Sequence, residues 1–340
     1  MVSLYQKIIG RISSYWKSNQ YYLWYILRKE REEQRWSELA PHYEHVYSNT
    51  ADKKVVCLYE GKVFSGGLAD RFRGILSVFY VCKKLGIDFS LKYTHPFNLE
   101  DYLLPNKYNW HIDENEVVYK LPKENVLILD STQDSEFQKH CQESWLINRL
   151  KQCKGQIHVY TNASFSYEKG YHELFNELFK PSARLASSIE RQKEAIGENY
   201  VSISCRFLDL LGDFNETFGY NVQLTADEKE TLLNRLKQQV EKIHNQNPNS
   251  RVLVNSDSTT FLSFIRQQLP YTYIIPGYIT HIDNKTADGG YEYYEKTFVD
   301  FFMIAQAEHI YVLKTGRMHI SGYPYAASFV YNRPFDLIRF

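Results

Sequence analysis

Along the first 50 residues the apolar positions follow no two-residue alternation. Trp, Tyr, Ile and Leu are mixed with Lys and Arg through LYQKIIGRISSYWKSNQYYLWYILRKEREEQRW, a pattern that predicts one or two helices. From residue 54 the pattern becomes short apolar runs separated by segments of helical period. VVCLY (55–59) reads as a buried strand, and 68–85 as a helix whose Leu68, Phe72, Ile75, Leu76, Phe79 and Tyr80 fall near one stripe. NVLILD (125–130) and QIHVYTN (156–162) read as further strands. A second series opens with the strand YVSISCRF (200–207), followed by a polar helix over 225–246 in which Thr225 and Glu228 are spaced for a capping box. RVLVNSD (251–257) predicts a strand, 258–268 a helix, 271–276 a strand, 297–308 a helix and 309–313 a strand.

Strands that alternate with helices predict parallel sheets, hence an α/β protein. Two such series predict two Rossmann-like domains facing a cleft, residues 51–190 and 191–340, preceded by a helical extension over 1–50. No internal repeat or low-complexity linker interrupts them.

Composition narrows the class. With 40 basic and 40 acidic side chains in 340 residues the net charge is zero, so nothing global argues for a nucleic-acid partner. Aromatic residues reach 16%, with 28 Tyr. A tyrosine's flat face and polar tip suit sugar rings and bases, and suit core packing equally well. The five cysteines are scattered, with no CxxC pair and no Cys/His cluster of zinc spacing, which predicts a reducing compartment. The N-terminus lacks the apolar core of a signal peptide, and no run of about 18 apolar residues is present to span a bilayer. Both observations predict a cytoplasmic protein. The aromatic-basic first segment either packs on its own domain or lies on an anionic membrane surface.

Ligands of open parallel sheets gather at the carboxyl ends of the strands, and four segments fall there. In GGLADRFRGIL, Gly66 and Gly67 permit close backbone approach, and Asp70, Arg71 and Arg73 lie in the first turns of the helix. Asp70 is there either as a charge that complements the helix dipole or as a catalytic acid. The loop is neither GxGxxG nor a P-loop, which disfavours a nicotinamide oxidoreductase. In SISCRFLDLLGDFNE, the strand carries Ser204 and then delivers Arg206, whose fork can clamp a diphosphate or close the loop by pairing with an acid. Asp209 and Asp213 follow closely enough to share the site. In VNSDSTTFL, Ser256, Asp257 and Ser258 are N-caps or polar ligand contacts. In the C-terminal block, Asp300 is an acid on an apolar helix face that needs a partner, whether a guanine edge, an internal Arg or backbone. Ser321, Gly322 and Tyr323 begin another turn into a helix.

In their order, these segments resemble the superfamily of GDP-fucose-dependent fucosyltransferases that contains the nodulation-type and core α1,6 enzymes and the protein O-fucosyltransferases. The resemblance runs over residues 54–334, strongest in GGLADRFRGIL and in VDFFMIAQAEHIYV followed by ISGYPYAA. It implies a GT-B fold with the nucleotide mostly in the C-terminal domain. It implies inversion at the anomeric carbon with no cofactor and no required metal. It implies that Arg206 grips the β-phosphate, Asp300 binds guanine and Ser321 contacts phosphate. The partners it implies are GDP-fucose or a related GDP-sugar and a glycan acceptor. With no secretory anchor, the expected setting is a cytoplasmic enzyme of surface-polysaccharide synthesis, peripheral at the inner face of the membrane, acting on a membrane-linked acceptor. Two departures stand out. Ser204 occupies the place of the family's His, and Phe207 and Leu210 fill positions where the core enzymes carry charged residues. Asp70 and Asp213 are the two candidates for the acceptor base, Asp70 ranked first. A GDP-mannose transferase and a non-catalytic nucleotide- or glycan-binding protein of the same fold are the alternatives.

Overall fold

The computed structural model describes residues 22, 25, 26, 28–43, 52–63, 65–129, 136–163, 170–213, 223–280, 282 and 290–340. Asp130, read as the end of a strand, and most of the first 27 residues lie outside them. The chain divides into two units: residues 1–65, 70–93 and 110–169, and residues 66–69, 94–109 and 170–340. In chain order the first elements are β1 (Lys54–Tyr59), α1 (Leu68–Leu85), β2 (Asp88–Tyr93), β3 (Leu103–Pro105), β4 (Val126–Leu129), α2 (Glu136–Gln152) and β5 (Gln156–Thr161). There follow α3 (Tyr171–Leu178), β6 (Phe179–Pro181), α4 (Ala183–Ile196), β7 (Tyr200–Cys205), α5 (Ala226–Gln246), β8 (Arg251–Ser256) and α6 (Thr259–Gln268). The last are β9 (Thr272–Tyr273), α7 (Gly290–Gln306), β10 (Ile310–Lys314), α8 (Gly322–Val330) and β11 (Phe335–Arg339).

The first unit is built on a parallel sheet in the order β2-β1-β5-β4, with Val55 opposite Phe89 on one side and Ile157 on the other. Parallel strands are covered on both faces and so read as continuous apolar runs, which is why VVCLY and VLIL stand out in the sequence. One face packs Val56, Leu58, Val126 and Ile128 against Leu39, Tyr43, Ile112 and Leu121. Leu39 and Tyr43 flank the end of a helical segment over 28–39, so at least this part of the expected N-terminal helix belongs to a core. α1 seats very close to the sheet, and Gly74 is the reason. A Cβ at that position would stand 2.7 Å from the Thr161 carbonyl oxygen and 2.8 Å from Tyr59 Oη.

The second unit carries an all-parallel sheet in the order β11-β10-β7-β8-β9. Val201, Ile203, Val252, Val254, Tyr311 and Leu313 pack one face against α5 and α6 through Leu236, Val240, Phe261 and Ile265. α7 packs against α4 and α8, and the Tyr200 hydroxyl donates to the Met303 carbonyl at 2.7 Å. A small antiparallel pair, β3 with β6, completes this unit. The sequence division at residue 190 differs from what this packing produces. Tyr102 stacks on Phe298 (4.2 Å between centroids) and Tyr291 (4.7 Å), and Phe97 packs on Tyr294. These aromatic contacts with α7, together with the β3–β6 ladder, draw residues 94–109 and 170–181 into the second unit.

Several elements depart from the sequence expectation or go beyond it. β2 (DFSLKY) and β11 (FDLIR) are edge strands in which polar and apolar residues are interspersed, so neither forms an apolar run. β9 is only two residues long, and α7 begins at Gly290, before the 297–308 span its apolar residues suggest. The Thr225 capping box forms as spaced, with the Thr225 side chain accepting from Glu228 N–H and the Glu228 carboxylate accepting from Thr225 N–H.

Candidate functional site

The carboxyl ends of β7, β8 and β10 converge in the second unit. β7 delivers Arg206, and the chain then turns through Leu208 at φ 55°, a left-handed conformation unusual for a bulky residue. The turn is held by Asp257 at the end of β8, whose carboxylate accepts from Phe207 N–H (2.9 Å) and Leu208 N–H (2.8 Å). Arg206 Nε stands 3.3 Å from the same carboxylate. Asp257 is buried, and burial raises its pKa despite the opposing pull of Arg206 and the backbone donors. The ion pair anticipated as an alternative at Arg206 therefore exists, and it fixes the guanidinium at the strand ends.

The Ser256–Ser258 turn is likewise resolved. Ser258 is the N-cap of α6, accepting from Phe261 N–H, and its own hydroxyl donates to Asp213 at 2.9 Å. Ser256 Oγ accepts from Ser258 N–H and lies beside Asp257. Asp213 Oδ2 also accepts from Thr259 Oγ1 (3.1 Å) and Thr260 N–H (2.6 Å). Burial alone would raise the Asp213 pKa, but these donors outweigh it and hold the carboxyl below its usual range. Asp213 thus ties its loop to the first turn of α6. Asp209 is buried, and its carbonyl accepts from Gly212 N–H within the same turn.

The third strand end is β10. Lys314 donates to the Gly316 carbonyl, and Met318 anchors the following loop in the core. His319 then pairs with Arg206 as an isolated antiparallel bridge, its N–H donating to the Arg206 carbonyl at 2.9 Å. Two residues on, Ser321 caps α8 by accepting from Tyr323 N–H. The Tyr323 hydroxyl donates to the Thr297 carbonyl of α7, and its ring meets Phe301 at 5.4 Å. Tyr323 lies within electrostatic reach of Asp300, on the same stretch of α7. Asp300 has an internal partner that the sequence reading did not include: Lys296, one turn earlier, reaches both its oxygens at 2.8 Å. Burial raises the Asp300 pKa, and Lys296 opposes the rise. A carboxylate has about four lone-pair sites, so this pair leaves acceptors for two further N–H donors. Gly277, at φ 127°, brings the loop after β9 so near that a Cβ would stand 3.1 Å from Lys296 Cβ.

Segment 319–323 thus connects Arg206 and Asp257 to Ser321, Gly322, Tyr323 and Asp300. Ser204, on β7 opposite Asn255, is buried with its hydroxyl lacking a hydrogen-bond partner, as does Asn255 Oδ1. The remaining sequence candidates lie around the start of α1. Asp70 pairs with Arg73 in the first turns of α1. Arg71 is buried, donating to Tyr93 Oη at 2.9 Å with its guanidinium over the Tyr59 and Tyr93 rings. Gly66 uses its freedom at φ 69° immediately before Gly67 and the start of α1. His319 was not singled out in the sequence, because only the bridge to a residue on another strand marks it.

No protein-family model matches this chain, and no curated protein matches it by sequence. Solved structures do match. NodZ α1,6-fucosyltransferase soaked with GDP-fucose superposes with a TM-score of 0.52 at 11% identity, covering 82% of this chain and 93% of that one. A variant of Arabidopsis thaliana FUT1 in complex with GDP gives 0.53 at 13% identity, covering 94% and 78%. Fucosyltransferase NodZ from Bradyrhizobium gives 0.51 at 13%, covering 82% and 92%. The fold is that of these fucosyltransferases. At such identities the likeness lies in the path of the chain. Among the described residues, no helix is long and apolar enough to cross a membrane.

Proposed function

We propose that the protein is an inverting glycosyltransferase that moves fucose from GDP-fucose to a glycan. The observation that carries this reading is the Arg206–Asp257 pair at the ends of β7 and β8, on the fold of transferases crystallised with GDP and GDP-fucose. A guanidinium oriented by a buried carboxylate neutralises charge developing on a departing diphosphate without reorganising. Asp300 accepts the two N–H donors of a guanine edge, and the α8 N-terminus at Ser321 and Gly322 contacts phosphate. Arg206 and backbone N–H groups do what a metal does elsewhere, so transfer proceeds in EDTA. Of the two acids singled out in the sequence, Asp213 is held below the carboxylate range by its donors and is a weak proton acceptor. Asp70, paired with Arg73 in the first turns of α1, is the other candidate for the acceptor's proton. The acceptor is a surface glycan on a membrane-linked carrier.

Calorimetry with GDP, GDP-fucose, GDP-mannose and UDP-sugars, with and without EDTA, tests the donor. Guanine-selective, metal-independent binding is expected, weakened in Asp300→Ala. Arg206→Ala is expected to lower fucosyl transfer by about 10²–10³-fold, the scale for removing one oriented charge-stabilising group. Asp70→Asn is expected to abolish transfer while GDP-fucose still binds. Failure of the folded wild type to bind any GDP species sinks the donor reading. Tight binding with no turnover on any glycan favours the second reading, a non-catalytic binder, for which the unpartnered Ser204 hydroxyl in place of an imidazole is the supporting observation.

A further inference from the structure

The bridge between Arg206 and His319 places an imidazole beside the proposed diphosphate clamp. Residues paired in an antiparallel bridge project their side chains to one side, so the His319 ring and the Arg206 guanidinium emerge together. The backbone hydrogen bond at 2.9 Å and the burial of neighbouring Met318 fix that placement. His319 as a residue is exposed. The charged groups facing it come from all three strand ends: Arg206 after β7, Asp257 after β8 and Lys314 at the end of β10. Partial burial and the Arg206 charge lower the His319 pKa, with Lys314 adding to the effect and Asp257 opposing it. Before a donor binds, the ring is therefore neutral at pH 7.

A nucleotide-sugar diphosphate brings two negative charges to the same place. Seated on Arg206, it reverses the sign of the field that disfavours imidazolium, and a protonated ring then donates a charge-assisted hydrogen bond to a phosphate oxygen. We propose that His319 is a second ligand for the diphosphate that docks on Arg206, and that it binds this anion as imidazolium, taking one proton from solvent as the donor enters. The proposal rests on the GDP-sugar reading and adds a residue and a proton to it. The same proton is returned when the nucleotide leaves, so donor affinity falls as the pH rises.

The test uses GDP-fucose, whose diphosphate is a diester with no group titrating near neutrality. Binding to the full chain is measured by calorimetry from pH 6 to 8 in two non-phosphate buffers of different ionisation enthalpy. The wild type is expected to take up a fraction of a proton at pH 7 and to weaken with rising pH. His319→Gln is expected to bind on the order of tenfold more weakly at pH 6, the scale of one charge-assisted contact, with neither proton uptake nor pH dependence. His319→Lys, charged throughout, is expected to keep the tight binding up to pH 8 without uptake. Binding of GDP-fucose with no buffer dependence in the wild type, or uptake that persists in His319→Gln, overturns the proposal and leaves the donor reading standing. Absence of GDP-fucose binding to the wild type removes the donor reading and this proposal with it.

Discussion

Within the first unit, His158 on β5 is fully buried and lies between two side chains that settle its tautomer. Nε2–H donates to Gln156 Oε1 at 2.8 Å, and Nδ1 accepts from the Tyr43 hydroxyl at 2.6 Å. Gln156 is oriented in turn, since its Oε1 accepts from Val118 N–H and its Nε2 donates to the Glu116 carbonyl. Burial lowers the His158 pKa to about 3, with Glu60 opposing the shift and Lys62 and Lys92 adding to it. The unfolded chain binds this proton near pH 6.5, whereas the folded chain refuses it until about pH 3. The folded pKa is lowered, so stability is lost as the pH falls through that window, at up to about 1.4 kcal/mol per pH unit from this one group. Urea unfolding between pH 7 and 4 checks this. His158→Gln should start less stable yet lose less on acidification, and an unchanged acid slope in the variant would refute the assignment. Arg71 belongs to the same scale. Its place in a Gly-rich loop motif suggested a ligand contact, and its stacking on Tyr59 and Tyr93 makes it a packed cation of the sheet face.

Among the elements, α1 is the one whose seating depends on a single position. Helix propensity favours Ala over Gly by about 1 kcal/mol in a helix interior, which alone would make Gly74→Ala stabilising. The Thr161 carbonyl and the Tyr59 hydroxyl leave no room for the methyl group, and backbone cannot swing aside. Overpacking of this kind costs about 1–3 kcal/mol. Gly74→Ala is therefore expected to lower the thermal midpoint by several degrees, and a rise would show that α1 lifts off the sheet at little cost. The Tyr59 hydroxyl strengthens the argument, because its one proton is shared between the Thr161 and Arg71 carbonyls and ties the helix to both strands. At the element scale the sequence was most legible where periodicity was strong, as in β1, α1, β7, α5 and β8. It was least legible for β2 and β11, edge strands without an apolar run, and for the β3–β6 pair, whose partners lie far apart in the chain.

For the whole molecule, the five cysteines offer a report on opening. All are free and buried, four in the first unit and Cys205 in the second. Burial raises their pKa values, that of Cys57 to about 12, so the reactive thiolate is scarce while the thiols stay buried. The native protein is expected to leave a thiol reagent unreacted at pH 8 and to react at all five positions in denaturant, read by mass spectrometry. Rapid labelling of any one cysteine in the native state would contradict its burial. Aromatic abundance also resolves at this scale. Much of it goes into stacks such as Tyr102 between Phe298 and Tyr291, which build the second unit rather than a sugar-binding surface.

What the sequence determined by itself was local. Apolar period, strand-to-helix turns and the Thr225–Glu228 spacing express the geometry of neighbouring residues, and they carried the α/β class and the positions of the strand ends. The tertiary structure alone decided which side chains at those ends share a site. Asp257 reached Arg206 and the backbone of Phe207 and Leu208, Asp213 was drawn onto α6, and Lys296 was set beside Asp300. His319 entered only through its bridge to Arg206. Each of these, the one-turn Lys296 pair apart, joins residues from separate strands or loops. Their proximity comes from strand order and register, which hydrophobic burial across the whole sheet selects and no short stretch of sequence encodes.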